Sequence, residues 1–102
     1  MQSESAQVAI SVLALTPCRG AANLLALADV ELVIGGIALV LHGVQLRAGA
    51  QGTEITLPRY RNPAGDWAVA ISLPDELRGP IGDVVIAAGI EDGILKRREV
   101  EV

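Results

Sequence analysis

The 102-residue sequence has few of the residue types that usually build catalytic centres or cross-linked folds. It contains one cysteine, one histidine, one tryptophan, one tyrosine and no phenylalanine. A lone cysteine excludes an intrachain disulfide, argues against a zinc site and suits a reducing, cytoplasmic environment. Because 51% of the residues are hydrophobic and almost none are aromatic, the core must be built from aliphatic side chains.

Positive charge is also scarce. The sequence carries 8 basic and 12 acidic residues, which gives a formal net charge of −4. Domains that bind nucleic acid are more often basic, so this composition argues against strong non-specific binding to a polyanion. The positions of the charges still decide whether a local basic patch exists.

Long apolar runs are missing too. Residues 32–46 carry no formal charge, but two glycines interrupt them and they fall short of the ~20 residues that span a membrane. Residues 8–15 precede Cys18 and resemble a lipoprotein signal, yet Glu4 stands where such signals carry basic residues. We therefore predict a cytoplasmic protein without a membrane segment.

Apolar and small residues alternate along much of the chain, which is typical of β-strands. Gly35 and Gly36 fit a two-residue hairpin turn, because positive φ angles cost glycine nothing sterically. Strands are predicted over residues 7–15, 24–34, 37–47, 53–57 and 67–73.

A helix is predicted near the C-terminus. Gly79 and Pro80 are poor interior helix residues, so regular helix is expected from about Pro80, and Asp75 is a candidate cap before it. The apolar residues at helical spacing are Ile81, Val84, Val85 and Ala88.

These elements predict an α+β fold, an antiparallel meander of about five strands followed by one C-terminal helix. The length suits a single domain over residues 1–102, with residues 1–6 disordered and a tail over about 93–102. One helix covers one face of a sheet, so apolar side chains beyond that face predict a homodimer or larger assembly. These side chains belong to Leu25, Leu27, Val33, Ile37, Leu39 and Leu41.

Candidate catalytic residues are isolated from one another. His42 lies in a strand among Ala38, Val40 and Val44, and is predicted to be a packed or interface residue. Cys18 has no visible base partner. The sequence contains no nucleophile elbow, phosphate-binding loop or paired histidines, so we predict neither an enzyme nor a bound cofactor or metal.

Two acidic residues raise a further possibility. Asp29 and Glu31 share one face of a strand. Together they suit an acid/base pair or a cation site. The alternative is that they belong to a solvated strand face without a functional role.

The candidate nucleic-acid-binding residues are arginines beside a turn. Arg59 and Arg61 flank Tyr60, and guanidinium groups grip phosphates while a tyrosine ring stacks on an unpaired base. The alternative is a solvated edge on which Tyr60 packs locally. Arg78 either contacts phosphate or pairs with Asp75 or Glu76.

A second basic cluster lies in the predicted tail and consists of Lys96, Arg97 and Arg98. It suits phosphate binding, but Glu99 and Glu101 dilute its charge, and a solvated tail is the alternative.

One stretch of the chain resembles the stage V sporulation protein G (SpoVG-like) family. Its matching parts are Leu57-Pro58, Arg59 and Arg61, Pro63, Gly65-Asp66, the strand from Trp67, and residues 77–87. Upstream, the predicted strands near residues 25–33 and 37–47 fit the family as well, so the resemblance covers most of the chain. It implies a small antiparallel sheet with a C-terminal helix, a dimer, and regulatory binding of DNA or RNA with low sequence specificity.

The chain departs from that family in one respect. Basic residues in and after the family's helix are implicated in binding, whereas here no lysine or arginine lies between Arg78 and Lys96. The alternative function is a dimeric protein-interaction module of SpoVG-like fold, which presents the Asp29 and Glu31 face to a protein. Neither interpretation implies a small-molecule substrate.

Overall fold

Alternating side chains build an antiparallel sheet, as the sequence predicts, but the sheet has four strands instead of five. The computed structural model describes residues 7–20 and 22–95. The strands follow one another in space as they do in the chain, and neighbours are joined by short connections. They are β1 (Val8–Pro17), β2 (Leu24–Ile34), β3 (Ile37–Gly49) and β4 (Gly52–Thr56).

The predicted fifth strand does not join this sheet. Two short strands, β5 (Arg59–Arg61) and β6 (Trp67–Val69), pair with each other as a separate hairpin. Pro58 lies where the chain leaves β4, and it has no N–H with which to continue a ladder. Its carbonyl instead accepts a hydrogen bond from the Ala70 N–H at 3.1 Å, which closes the base of the hairpin. The protein therefore has a four-stranded meander and a separate two-stranded hairpin in place of the predicted five-stranded meander.

The β2–β3 connection is the predicted two-glycine turn. Gly35 and Gly36 have φ angles of +58° and +83°, and Ile34 lies opposite Ile37 across the turn. Both φ angles lie in the left-handed region that the tightest hairpin turns require.

A β-bulge in β3 changes which residues face the helix. Ala28 lies opposite Val44, but Val30 lies opposite Leu41, so β3 holds an extra residue across this stretch. Gly43, with φ of +83°, absorbs the extra length. As a result Leu41 and Val44, three positions apart, are both buried.

The bulge corrects the predicted surroundings of His42. Strict alternation groups His42 with Val44, but Val44 faces the core and His42 lies on the opposite side of the sheet. The His42 side chain is 75% exposed and is not packed within the chain.

One aliphatic core holds the sheet and helix together. It is formed by alternate residues of β2, three residues of β3 and two residues of the helix. No aromatic side chain contributes, as the composition predicts. The fully or almost fully buried hydrophobic residues are Ala26, Ala28, Val30, Leu32, Leu41, Val44, Leu46, Ile81 and Val85.

The helix α1 (Asp75–Glu91) begins earlier than predicted. Pro80 lies inside it, and the preceding Gly79, which has no Cβ to collide with the proline ring, lowers the cost of a proline at this position. Pro74 occupies the N-cap position without a side-chain hydrogen bond, so Asp75 is the first helical residue rather than the cap. Ile81 and Val85 of the predicted stripe are buried.

Beyond the helix the chain turns back onto the core. Gly93 has φ of +78°, and the N–H groups of Ile94 and Leu95 both donate to the carbonyl of Gly89. Ile94 and Leu95 pack against the buried cluster. The predicted disorder of residues 1–6, and residues 96–102 of the predicted tail, lie outside the described residues.

The sheet has one covered face and one open face. The helix covers the side that carries the core, which we call the helix face. The opposite side, the open face, bears exposed apolar residues that include Leu13, Leu27 and Val40. The sequence predicts six apolar residues beyond the sheet face that one helix can cover. Of these, Leu27 and Val33 lie on the open face, and Leu25 packs against the core. The other three, Ile37, Leu39 and Leu41, lie on the helix face.

Within the described residues, no helix combines the length and apolar character needed to cross a membrane.

The bulge supplies a stability prediction. Gly43→Ala is expected to lower the free energy of unfolding by about 1–2 kcal/mol, because a residue with a Cβ is strained at this φ angle. The added Cβ meets no atom within 4 Å, so a steric clash does not contribute. Urea unfolding at one fixed protein concentration measures the change.

Gly82→Ala is the matched control. Gly82 lies inside α1, and an added Cβ would lie 3.5 Å from Cγ1 of Ile55, an ordinary contact. This variant is expected to gain about 0.5–1 kcal/mol from helix propensity. A Gly43→Ala variant as stable as the parent protein would show that the bulge is not constrained as described.

Candidate nucleic-acid interface

The β5–β6 hairpin forms an exposed arm, which we define as residues 59–69. Its turn is held by Asn62, whose side-chain oxygen accepts hydrogen bonds from the N–H groups of Ala64 and Asp66, both at 3.0 Å. The Asn62 N–H donates to the Asp66 carbonyl at 2.8 Å, and Gly65 has φ of +89°. These bonds fix the register of the two strands without support from the core.

The two faces of the arm differ in chemistry. Arg59 lies opposite Val69, and Arg61 lies opposite Trp67. Directly opposed residues share a face, so these four side chains form one surface, which we call the cationic face. Tyr60, opposite Ala68, points to the other side of the arm.

This arrangement separates residues that the sequence places together. Arg59, Tyr60 and Arg61 are all exposed, as expected. However, the structure brings Trp67 rather than Tyr60 beside the two arginines. The sequence pattern predicts only that Trp67 lies in a strand. The signal that finds it is the pairing of Arg61 with Trp67 across the turn, which becomes visible once residues 59–61 are recognised as a strand.

Arg61 and Trp67 are in direct contact. The guanidinium carbon of Arg61 lies 5.1 Å from the centroid of the indole ring, within the range of a cation–π interaction. Such a contact contributes about 0.5–1 kcal/mol at an exposed site. Trp67 as a whole residue remains 59% exposed, so more than half of its surface is accessible to a partner.

A cleft continues the cationic face toward the helix. It has a volume of about 320 Å³ and lies between the base of the arm and the first turn of α1. Arg59 and Val69 line it from the arm, and Ser72 and Arg78 line it from the segment that follows. Three arginines therefore lie along one continuous surface, from Arg61 through Arg59 to Arg78.

Arg78 has a weak ionic partner. One terminal nitrogen lies 3.9 Å from a carboxylate oxygen of Asp75, and the two side chains are 60% and 97% exposed. Exposed pairs of this kind contribute little and exchange readily with other ions. Of the two roles predicted for Arg78, the structure shows pairing with Asp75, and this pairing leaves the guanidinium accessible.

The second predicted basic cluster is the one in the tail. Lys96, Arg97 and Arg98 lie outside the described residues.

The remaining candidates lie on other parts of the sheet. Nδ1 of His42 is 3.1 Å from a carboxylate oxygen of Asp29, and Glu31 lies on the same open face, as predicted. The Cys18 thiol is partly buried, with Sγ 3.8 Å from the Thr16 carbonyl oxygen. In the part of the chain that the structure describes, no three histidine, cysteine or acidic residues group as a metal site.

Comparison with known proteins adds no relative. The sequence matches no protein-family model, and no curated protein shows significant similarity to it.

The exposed indole gives a direct test of the arm. Trp67 is the single tryptophan of the chain, so intrinsic fluorescence reports on it alone. Acrylamide is expected to quench this fluorescence almost as efficiently as that of free tryptophan. Arg61→Ala is expected to increase quenching further, because the guanidinium shields part of the ring.

Arg47→Ala serves as the control for loss of an arginine. Arg47 lies in β3 and hydrogen-bonds Gln45 at 2.8 Å, away from the arm. This change is expected to leave quenching unaltered. A strongly protected Trp67 in the parent protein would show that the cationic face is covered.

Proposed function

We propose that this chain is a SpoVG-like regulatory protein that binds DNA or RNA with low sequence specificity and acts as a homodimer. The observation that carries the proposal is the cationic face, on which Arg59, Arg61 and Trp67 lie together and lead to Arg78. Cations that follow a groove beside an exposed aromatic ring are the usual means of sequence-tolerant nucleic-acid binding.

The negative net charge is compatible with this proposal because the arm itself has an excess of positive charge. The arm carries two arginines, Arg59 and Arg61, against one acidic residue, Asp66 in its turn. Glu31 and Asp29 lie on the open face of the main sheet rather than on the arm. A phosphate at the cationic face therefore meets a locally positive surface, although the whole chain is acidic.

The open face supports the proposed dimer. Leu13, Leu27 and Val40 expose apolar surface there, and in the described residues α1 packs on the other side of the sheet. A sheet with apolar residues on both faces needs a second covering layer, which another copy of the chain supplies. A dimer carries two arms, and two-point contact raises the affinity for a long nucleic acid.

The same face supports the second candidate function, a dimeric protein-interaction module. Asp29, Glu31 and His42 lie among the exposed apolar residues of the open face. This mixture of acidic and apolar groups suits a protein surface with complementary basic residues. Loss of nucleic-acid binding would favour this function.

Binding to nucleic acid tests the first proposal. Labelled single-stranded DNA, double-stranded DNA and RNA are titrated at several salt concentrations, and binding that weakens steeply with salt is expected. Arg59→Ala/Arg61→Ala is expected to lower affinity at low salt by about tenfold and to reduce the salt slope by roughly 1.4 for a single strand.

A matched double variant controls for the loss of charge. Arg19→Ala/Arg47→Ala also removes two positive charges, one from the β1–β2 loop and one from β3, and leaves the arm intact. Its affinity is expected to change much less than that of the arm variant. Equal losses in the two variants, or no binding at low salt, would contradict the proposal.

Sedimentation tests the proposed dimer. The parent protein is expected to sediment as a dimer, and Val40→Lys is expected to shift it to monomer by placing a charge on the open face. Val40 lies opposite Glu31, so the new lysine finds an ionic partner across the strands and the monomer remains folded.

Ile37→Lys is the control for this experiment. Ile37 is an exposed apolar residue of the same strand, but it lies on the helix face near the turn. It is expected to leave the dimer intact. A monomeric parent protein, or a Val40→Lys variant that stays dimeric, would refute assembly through the open face.

A further inference from the structure

We propose that the arm binds an unpaired strand by stacking a base on Trp67, so that single-stranded nucleic acid is the preferred ligand. This inference rests on the proposed function, and it adds the class of nucleic acid and the residue that selects it. The residue is Trp67, which the register of the arm places beside the arginines.

Exposure of the indole is the first argument. Trp67 is 59% exposed although it is the largest apolar side chain of the protein, and nothing in the core depends on it. Arg61 packs against the ring at 5.1 Å and restrains it. A large aromatic ring that is restrained but left open is suited to receive a second flat group, and every nucleobase offers such a face.

The spacing of the cations is the second argument. Arg59 and Arg61 are two residues apart on one strand face, a separation of about 6.6 Å along the strand. Consecutive phosphates of an extended single strand are separated by a comparable distance. A strand that stacks a base at Trp67 would therefore pass its backbone along Arg61 and Arg59 into the cleft, where Arg78 lies.

The chemistry of the cationic face argues against reading of a duplex. A two-stranded β-ribbon enters the major groove with hydrogen-bonding side chains directed at base edges. Here Trp67 and Val69 occupy the β6 half of the face, where neither side chain offers the paired donors and acceptors that such reading needs, so only Arg59 and Arg61 are equipped to contact base edges. Bases inside a duplex are already stacked on both sides, so the indole has no face to meet.

The experiment compares three ligands: labelled oligothymidine, an oligomer of the same length built of abasic sites, and a duplex of the same length. Fluorescence anisotropy of the label measures binding, and Trp67 emission measures stacking. Oligothymidine is expected to bind most tightly and to quench Trp67. The abasic strand, which keeps the phosphates but offers no base, is expected to bind about tenfold more weakly without quenching.

Variants of the two exposed aromatic residues of the arm complete the test. Trp67→Leu is expected to reduce affinity for oligothymidine by about tenfold, whereas Trp67→Phe retains a ring and most of the affinity. Tyr60→Leu removes the aromatic ring from the opposite face of the arm and is expected to leave affinity within about twofold. Circular dichroism of each variant establishes that it is folded.

The outcomes separate this inference from the proposed function. Equal binding of oligothymidine and the abasic strand, with Trp67 emission unchanged, overturns the stacking inference, while salt-dependent loss in Arg59→Ala/Arg61→Ala would leave the proposed function standing. Duplex binding as tight as that of oligothymidine, with Trp67→Leu unaffected, likewise overturns it in favour of groove binding. Absence of binding to any of the three ligands at low salt refutes both.

Discussion

Burial of one aliphatic sheet face beneath a single helix is the constraint on which the rest of this structure depends. No aromatic residue enters the core. The helix and the sheet must therefore pack closely to make enough buried contacts, because no large side chains supply them. Ala26 and Ala28 provide small positions in β2, and buried Gly89 provides one in α1. A Cβ at Gly89 would lie 3.1 Å from Leu46, which shows how closely the helix approaches the sheet.

The arm contributes no residue to this core. Pro58 ends the main sheet, so the chain that follows pairs with itself and lies beside the core rather than within it. Its conformation is maintained by local interactions, the Asn62 turn and the contact between Arg61 and Trp67. Substitutions on the cationic face can therefore change binding without removing contacts that hold the sheet and helix together.

The open face links the fold to the proposed assembly. Since α1 occupies one side of the sheet, Leu13, Leu27 and Val40 remain exposed on the other, and burying them in a dimer recovers stabilisation that the single chain lacks. Asp29 and His42, paired at 3.1 Å on that face, would then lie near the interface and help to specify its register. The proposed assembly and the proposed ligand binding thus use two different surfaces of the same chain.

The sequence by itself determined what local pattern encodes. It determined the four strands of the main sheet, the turn at Gly35, the apolar stripe of the helix, the aliphatic core, and the presence of arginines beside an exposed turn, but not the short strand at residues 59–61. It did not reveal that Trp67 joins those arginines, or that His42 and Val44 lie on opposite sides of the sheet. Only the tertiary structure decided these points, because side-chain direction in a sheet depends on register. One bulge at Gly43, or one new strand pairing, reassigns faces that simple alternation along the chain would predict.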